Sequence, residues 1–237
     1  MPELDDAVVT RSIINRSVSR YEGNAKTIRP YAFAACANLL EVVCPSCSSI
    51  GSVAFNGCYA LSAISFPECQ VIAQYAFQSC DSLVVASFPN CRLLYSYVFN
   101  GLSSLREVYL PLLSRCSGTS TTAVNMFAYC PNLEYVDLSS LEILQNNAIN
   151  FCSALSSLIL PVCSIIASNA FWGCPSLSSI TLLSSAVCVT TASNWLTQTG
   201  ITPSRGSIFV PASLVNSYKA ASIWSLYSSR IFPYSAS

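Results

Sequence analysis

The residues best suited to chemistry in this chain are its 13 cysteines, and the pair that most resembles a working site is Cys44-Pro-Ser-Cys47. A C-x-x-C pair can cycle between dithiol and disulfide, or supply half of a metal cage, when one thiol is exposed and its pKa is lowered. Little else in the sequence would support such chemistry. With no histidine anywhere, His-dependent triads and His-containing zinc sites are excluded. No G-x-S-x-G, G-x-x-x-x-G-K-S/T or G-x-G-x-x-G string occurs, so the acyl-transfer elbow and the common phosphate cradles are missing. The carboxylates Asp5 and Asp6 sit with Pro2 and Glu3 in a segment that reads as a helix over residues 2 to about 12, whose positive end accounts for them. Asn15-Arg-Ser17 fits a glycosylation acceptor, a weak signal on its own. The sequence therefore predicts no catalytic residue, no cofactor and no metal.

Position explains the cysteines better than reactivity does. F-x-x-C pairs fall at Phe33/Cys36, Phe55/Cys58, Phe77/Cys80, Phe127/Cys130 and Phe171/Cys174, with Phe99/Leu102 and Ile149/Cys152 as apolar variants. The aromatic steps are 22, 22, 22, 28, 22 and 22 residues, the 28 being one period plus a six-residue insertion within Leu112 to Ala123. Ten of the cysteines lie in two columns, Cys36, Cys58, Cys80, Cys130, Cys152 and Cys174 in one and Cys47, Cys69, Cys91 and Cys163 in the other. Cys44 occupies the column of Phe66 and Phe88. A thiol repeated at one place in every coil packs as a small hydrophobe, so reduced, buried cysteines are expected. Neighbouring column members could come within disulfide range, although parallel side chains in register rarely meet the required torsion.

Behind each Cys runs a second set of columns, exemplified by Leu61, Ile64 and Phe66 and repeated in seven coils. A fixed period of this size with an L-x-x-I-x-L core predicts a leucine-rich repeat solenoid, each coil giving one short strand. In fold class this is an α/β repeat solenoid, a right-handed superhelix of short parallel strands joined by tight or helical turns, with helices mainly at the caps. Alternation on a strand turns Ile64 and Phe66 inward and Ser65 outward. Pro45, Pro67, Pro89, Pro111 and Pro161 end their strands because proline has no N–H for the ladder. The segment before each aromatic, such as residues 69–75, alternates well enough for a second short strand. Three regions are expected: an N-terminal cap over 1–26 with a helix and a strand in Ser17 to Glu22, the solenoid over 27–206 with insertions near 112–123 and 183–205, and the last strand with a helical cap over 207–237. Pro211 should open a helix through about Ala220, and a second segment should begin at Ser222 and take in Ile223, Trp224, Leu226, Tyr227 and Ile231.

The string I-x-x-x-A-F-x-x-C-x-x-L-x-x-I-x-F-P resembles the BspA-like leucine-rich repeat family of bacterial proteins over roughly residues 27 to 195. The phrase from Phe209 to Lys219 followed by Trp224 is similar to the tail found after many such arrays. The resemblance implies a surface-exposed, adhesive protein. The opening Met-Pro-Glu-Leu-Asp-Asp shows neither a basic nor an apolar leader region. That leaves open a removed leader, an intracellular location, or export within a larger particle, and with the last a second function, that of a structural component of a phage or prophage particle.

Charge narrows the partners. The 11 basic and 11 acidic residues cancel, which gives no electrostatic basis for nucleic acid or an anionic membrane. Ser, Thr, Asn and Pro interrupt the uncharged run between Ile143 and Ser204, so no membrane insertion is expected. Protein or glycan partners remain. On the outward strand positions, large polar and aromatic residues gather in the fourth and fifth coils as Arg106, Glu107, Tyr109, Glu134, Tyr135 and Asp137, amid Ser, Ala and Val elsewhere. Tyr and Arg commonly anchor interfaces, so these six are the candidate binding residues. The insertion is expected to fold as a loop over their rim.

Overall fold

The 22-residue period becomes a coil with three sides, two of strand and one of consecutive tight turns. The computed structural model describes residues 8–9, 17–117 and 124–235. Its strands, in chain order, are β1 (Val8–Val9), β2 (Arg20–Glu22), β3 (Thr27–Ile28), β4 (Glu41–Val43), β5 (Ser49–Ile50), β6 (Ala63–Ser65), β7 (Val71–Ile72), β8 (Val85–Ser87), β9 (Leu93–Tyr95) and β10 (Glu107–Tyr109). They continue as β11 (Arg115–Ser117), β12 (Tyr135–Asp137), β13 (Ile143–Leu144), β14 (Ser157–Leu160), β15 (Ile165–Ile166), β16 (Ser179–Leu182), β17 (Val189–Thr190), β18 (Ser207–Val210) and β19 (Ile231–Pro233). The even-numbered strands and β19 form a front row; the odd-numbered strands through β17 form a back row. All strand pairs are parallel, and Ile50 lies in register with Ile28 and Ile72, as Val108 does with Ala86 and Val136. The front row divides into three ladders and the back row into two, the back break falling between β11 and β13.

The core is a set of ladders running along the axis. Phe33, Phe55, Phe77, Phe99 and Phe127 stack face to face, with centroids 4.9 to 5.7 Å apart and ring planes within 12°. Leu39, Leu61, Leu83, Leu105, Leu133, Leu155 and Leu177 form a column with no exposed surface. A strand pair in register every ~4.8 Å suits this, since identical side chains then meet at van der Waals distance.

The third side contains tight turns and no helix. Within a coil, the N–H groups of Ala32, Ala34 and Cys36 bond back three residues, while those of Tyr31, Phe33 and Ala35 reach carbonyls of the next coil. Such a ribbon needs left-handed residues. They recur at Tyr31, Val53, Tyr75, Tyr97, Asn125, Asn147 and Asn169, and again at Ala35, Gly57, Ser79, Gly101, Tyr129, Phe151, Gly173 and Gln198. Asn and Gly tolerate this conformation; a β-branched side chain does so worst. Val53, at φ 62°, is thus the weak member of its column. Val53→Asn, which copies coils five to seven, is expected to raise unfolding free energy by about 1 kcal/mol, read as a higher urea midpoint at unchanged slope. A lower midpoint would show that the valine's contacts outweigh its backbone strain.

The ends depart from the sequence expectation in detail. Most of the helix expected over residues 2 to about 12 lies outside the described residues, as does Asn15; the described Val8 and Val9 form a strand on β3. Strand β2 covers the front edge of β4, with Tyr21 edge-on to Phe33 at 5.1 Å. At the other end, Pro211 has extended backbone and precedes a 3-10 turn, Ala212–Leu214, instead of being the first helical residue. Helix α1, Val215–Ala220, and a 3-10 segment, Trp224–Arg230, follow. Ile231 does not prolong the helical segment; it leaves it to pair with Ile208, starting a strand beyond the expected last one. Pro233 is tolerated on that strand because an outer edge needs no N–H.

Candidate functional site

The six candidate residues sit on two adjacent front strands and the residue before each. Glu107 pairs with Tyr135, and Tyr109 with Asp137, because the 28-residue step between these coils keeps β10 and β12 in register. Arg106 Nη1 lies 2.5 Å from Glu134 Oε1. The Tyr109 hydroxyl donates to Glu107 Oε2 at 2.6 Å, and the two tyrosine rings stand 5.3 Å apart, tilted by 45°. Asp137 Oδ1 accepts from the backbone N–H of Ser139 at 3.1 Å and from its hydroxyl. Tyr109's phenol is pushed up chiefly by its hydrogen bond to Glu107; burial, then Asp137 and Glu107, push up that of Tyr135. Both stay protonated donors at neutral pH. One guanidinium against three carboxylates leaves the patch with two net negative charges on a chain of zero net charge.

The loop expected over the rim of this patch falls on residues that lie largely outside the described ones. Arg115 to Ser117 keep the 22-residue register with β9, so the extra residues follow Ser117, and 118–123 lie outside the described residues. Ser117 ends a back strand and Val124 opens the turn side.

Two surface features lie outside the candidate set. Arg20 Nε lies 2.7 Å from Glu41 Oε2 and its Nη2 3.2 Å from Glu22, forming a second ionic cluster at the front N-terminal edge. Arg20 stands opposite Glu41, 21 residues on, outside the 22-residue count that exposes the other columns. On the turn side Tyr129 stacks on Phe151 at 4.7 Å, and Phe151 meets Trp172 at 5.2 Å.

The cysteines prove to be fixtures of the coil. All 13 are buried and none is joined in a disulfide. In the first column each thiol from Cys58 onward donates to the carbonyl of the preceding coil's aromatic position: Cys58 to Phe33, Cys80 to Phe55, Cys130 to Phe99, Cys152 to Phe127 and Cys174 to Ile149, at 2.9 to 3.2 Å. In the second column Cys47, Cys69, Cys91 and Cys163 donate two residues ahead, at 3.2 to 3.6 Å. A cysteine thus fills a methyl-sized gap and also supplies a weak donor to a carbonyl there. The C-x-x-C pair follows the same rule, Cys44 donating to Ala25 and Cys47 to Ser49. Burial raises the thiols of Cys58, Cys91 and Cys130 to about 12. Among the described residues no group of three or more Cys, Asp or Glu could hold a metal ion.

A family model for the BspA type leucine rich repeat region, in six copies, matches residues 19–117 and 116–195. The chain belongs to this BspA-type family. The match starts at Ser19, so the family's repeat takes in strand β2 as well as the array read from residue 27. Among solved structures, a leucine-rich repeat protein from Bacteroides ovatus is 24% identical, with a TM-score of 0.62 over 90% of this chain and 54% of that one. The leucine-rich repeat protein of T. pallidum is also 24% identical, with a TM-score of 0.50 over 67% of this chain and 66% of that one. The chain thus spans about half to two thirds of the length of these proteins, whose leucine-rich repeat fold it shares. No curated protein matches the sequence. Among the described residues no helix is long and apolar enough to cross a membrane.

Proposed function

We propose that this chain is a non-enzymatic recognition module that binds a protein or glycan through its front strand face, centred on Arg106, Glu107, Tyr109, Glu134, Tyr135 and Asp137. The observation that carries the reading is pre-organisation. Strand register, the Arg106–Glu134 ion pair and the Tyr109–Glu107 hydrogen bond hold two tyrosines side by side on a rigid sheet, so little side-chain freedom is lost on binding. Family membership supports the class, since repeat solenoids present extended faces to partners. The acidic excess favours partners carrying basic groups and should make association slower as salt rises.

Parallel screens of wild type, Tyr109→Ala, Tyr135→Ala and Ile159→Ala on protein and glycan arrays test the assignment. Ile159 is a control of similar exposure on β14, 53% against 48% for Tyr135. For any partner found, each tyrosine change should cost about 2 kcal/mol, roughly thirtyfold in affinity, and the Ile159 change little. Equal affinity for all four proteins would sink the site.

A further inference from the structure

The back row carries a concavity that the front-face reading does not use. It holds about 430 Å³ and crosses β3, β5, β7 and β9. Its cause is legible coil by coil. The residue after the buried Ile or Leu of each back strand is Arg29, Gly51, Ala73 and then Tyr95, so the second and third coils present almost no side chain between two large ones. The floor is fixed at Gly51, where any Cβ would stand 2.4 Å from the Pro30 nitrogen. Across four strands at ~4.8 Å spacing the trough runs roughly 14 Å, about the length of two sugar rings.

Its lining is chemically specific. Thr27 and Ser49 offer hydroxyls 3.3 Å apart, Gln74 offers an amide, Tyr95 closes one end with an aromatic ring, and no charged residue lines it. The lining itself offers an ion no counter-charge, Arg29 standing beside the trough and outside its lining, and a wholly apolar ligand would cover the Gln74 amide and the unused lone pairs of Thr27 and Ser49, whose hydroxyls bond to each other. A polyol with C–H-rich ring faces satisfies both the aromatic and the polar lining. We infer that this trough is a binding site for a neutral saccharide about two pyranose rings long. The site is on the opposite side from the tyrosine patch and stands or falls independently of it.

Saturation-transfer NMR on the full chain with cellobiose, maltose, lactose and chitobiose tests the site. At least one disaccharide should show transfer, with a dissociation constant in the millimolar range typical of a few unforced hydrogen bonds. Ala73→Trp, which lays an indole across the floor from a half-buried position, should abolish the signal. Tyr95→Ala should weaken it about tenfold or more, while Tyr109→Ala should leave it unchanged. Circular dichroism on each variant checks folding; if Tyr95→Ala unfolds, Ala73→Trp decides alone. Absence of transfer from all four sugars, transfer that survives Ala73→Trp, or a trough that takes peptides and no sugar would overturn the inference.

Discussion

Deleting the chain from Ser207 onward is expected to make the protein aggregate. The cut removes β18 and β19 and leaves β16 as a bare front edge, with unpaired N–H and C=O groups beside the buried Ile180 and Leu182. Open edges of this kind pair with other chains. The cut also strips the aromatic lid. Trp195, with no exposed surface, packs edge-on against Trp224 at 4.9 Å and Tyr227 at 6.3 Å, and Tyr218 meets Trp224 at 5.0 Å. Two hydrogen bonds tie the lid to the array: Trp224 Nε1 donates to the Cys188 carbonyl at 2.7 Å, and the Cys188 N–H donates to the Tyr218 hydroxyl at 2.9 Å. Trp224→Ala alone should cost about 3 to 5 kcal/mol, the usual loss for a large buried aromatic. Light scattering after size exclusion checks the truncation; a monodisperse, fully folded product would show the cap to be dispensable.

Raising the pH above about 9 is expected to unfold the protein steeply. The unfolded chain releases thiol protons near 9.0, whereas folded Cys58, Cys91 and Cys130 hold theirs until about 12 because burial penalises the thiolate. The folded state therefore binds more protons in this window. The stability linked to these three thiols is complete below pH 9 and is lost as pH rises towards 12. Each thiol removes about 1.4 kcal/mol per pH unit, so three together remove about 4 kcal/mol per unit. Tyr218, raised from 10.0 to about 12 by burial, adds in the same direction once pH passes 10. Against an ordinary stability of about 5 to 15 kcal/mol, this predicts loss of the fold between roughly pH 10 and 12. Urea midpoints measured against pH should be level up to about 8.5 and then fall. Midpoints unchanged at pH 11 would mean that the thiols are not held protonated in the core.

The fold was legible where one column obeys one rule. The 22-residue step fixed the front strands, the stacked phenylalanines and the burial of the cysteines, because in-register stacking forces each column to repeat its chemistry. Left-handed turns were legible only where Gly57, Gly101, Gly173 or the asparagines mark them. Tyr31, Val53, Tyr75 and Tyr97 share the conformation without any such mark, since the neighbouring coils impose it. Strand β19 was hidden because Ile231 follows a helical segment and finds its partner, Ile208, only across the cap. Of the candidate patch, the sequence supplied composition and register, but not the hydrogen bond between Tyr109 and Glu107. The trough escaped because it arises from two side chains too small to fill their places, Gly51 and Ala73.

Site-specific photocrosslinking tests the central claim, recognition through the front face, most directly. Benzoylphenylalanine is placed in turn at Tyr109, Tyr135, Ile159 and Tyr95, and each protein is irradiated with a partner identified on the arrays. Crosslinks should form from positions 109 and 135, on the front patch, and not from 95 on the back row, with those from 159, one coil beyond Tyr135, weaker. Crosslinks from 159 or 95 in the absence of any from 109 and 135 would contradict it.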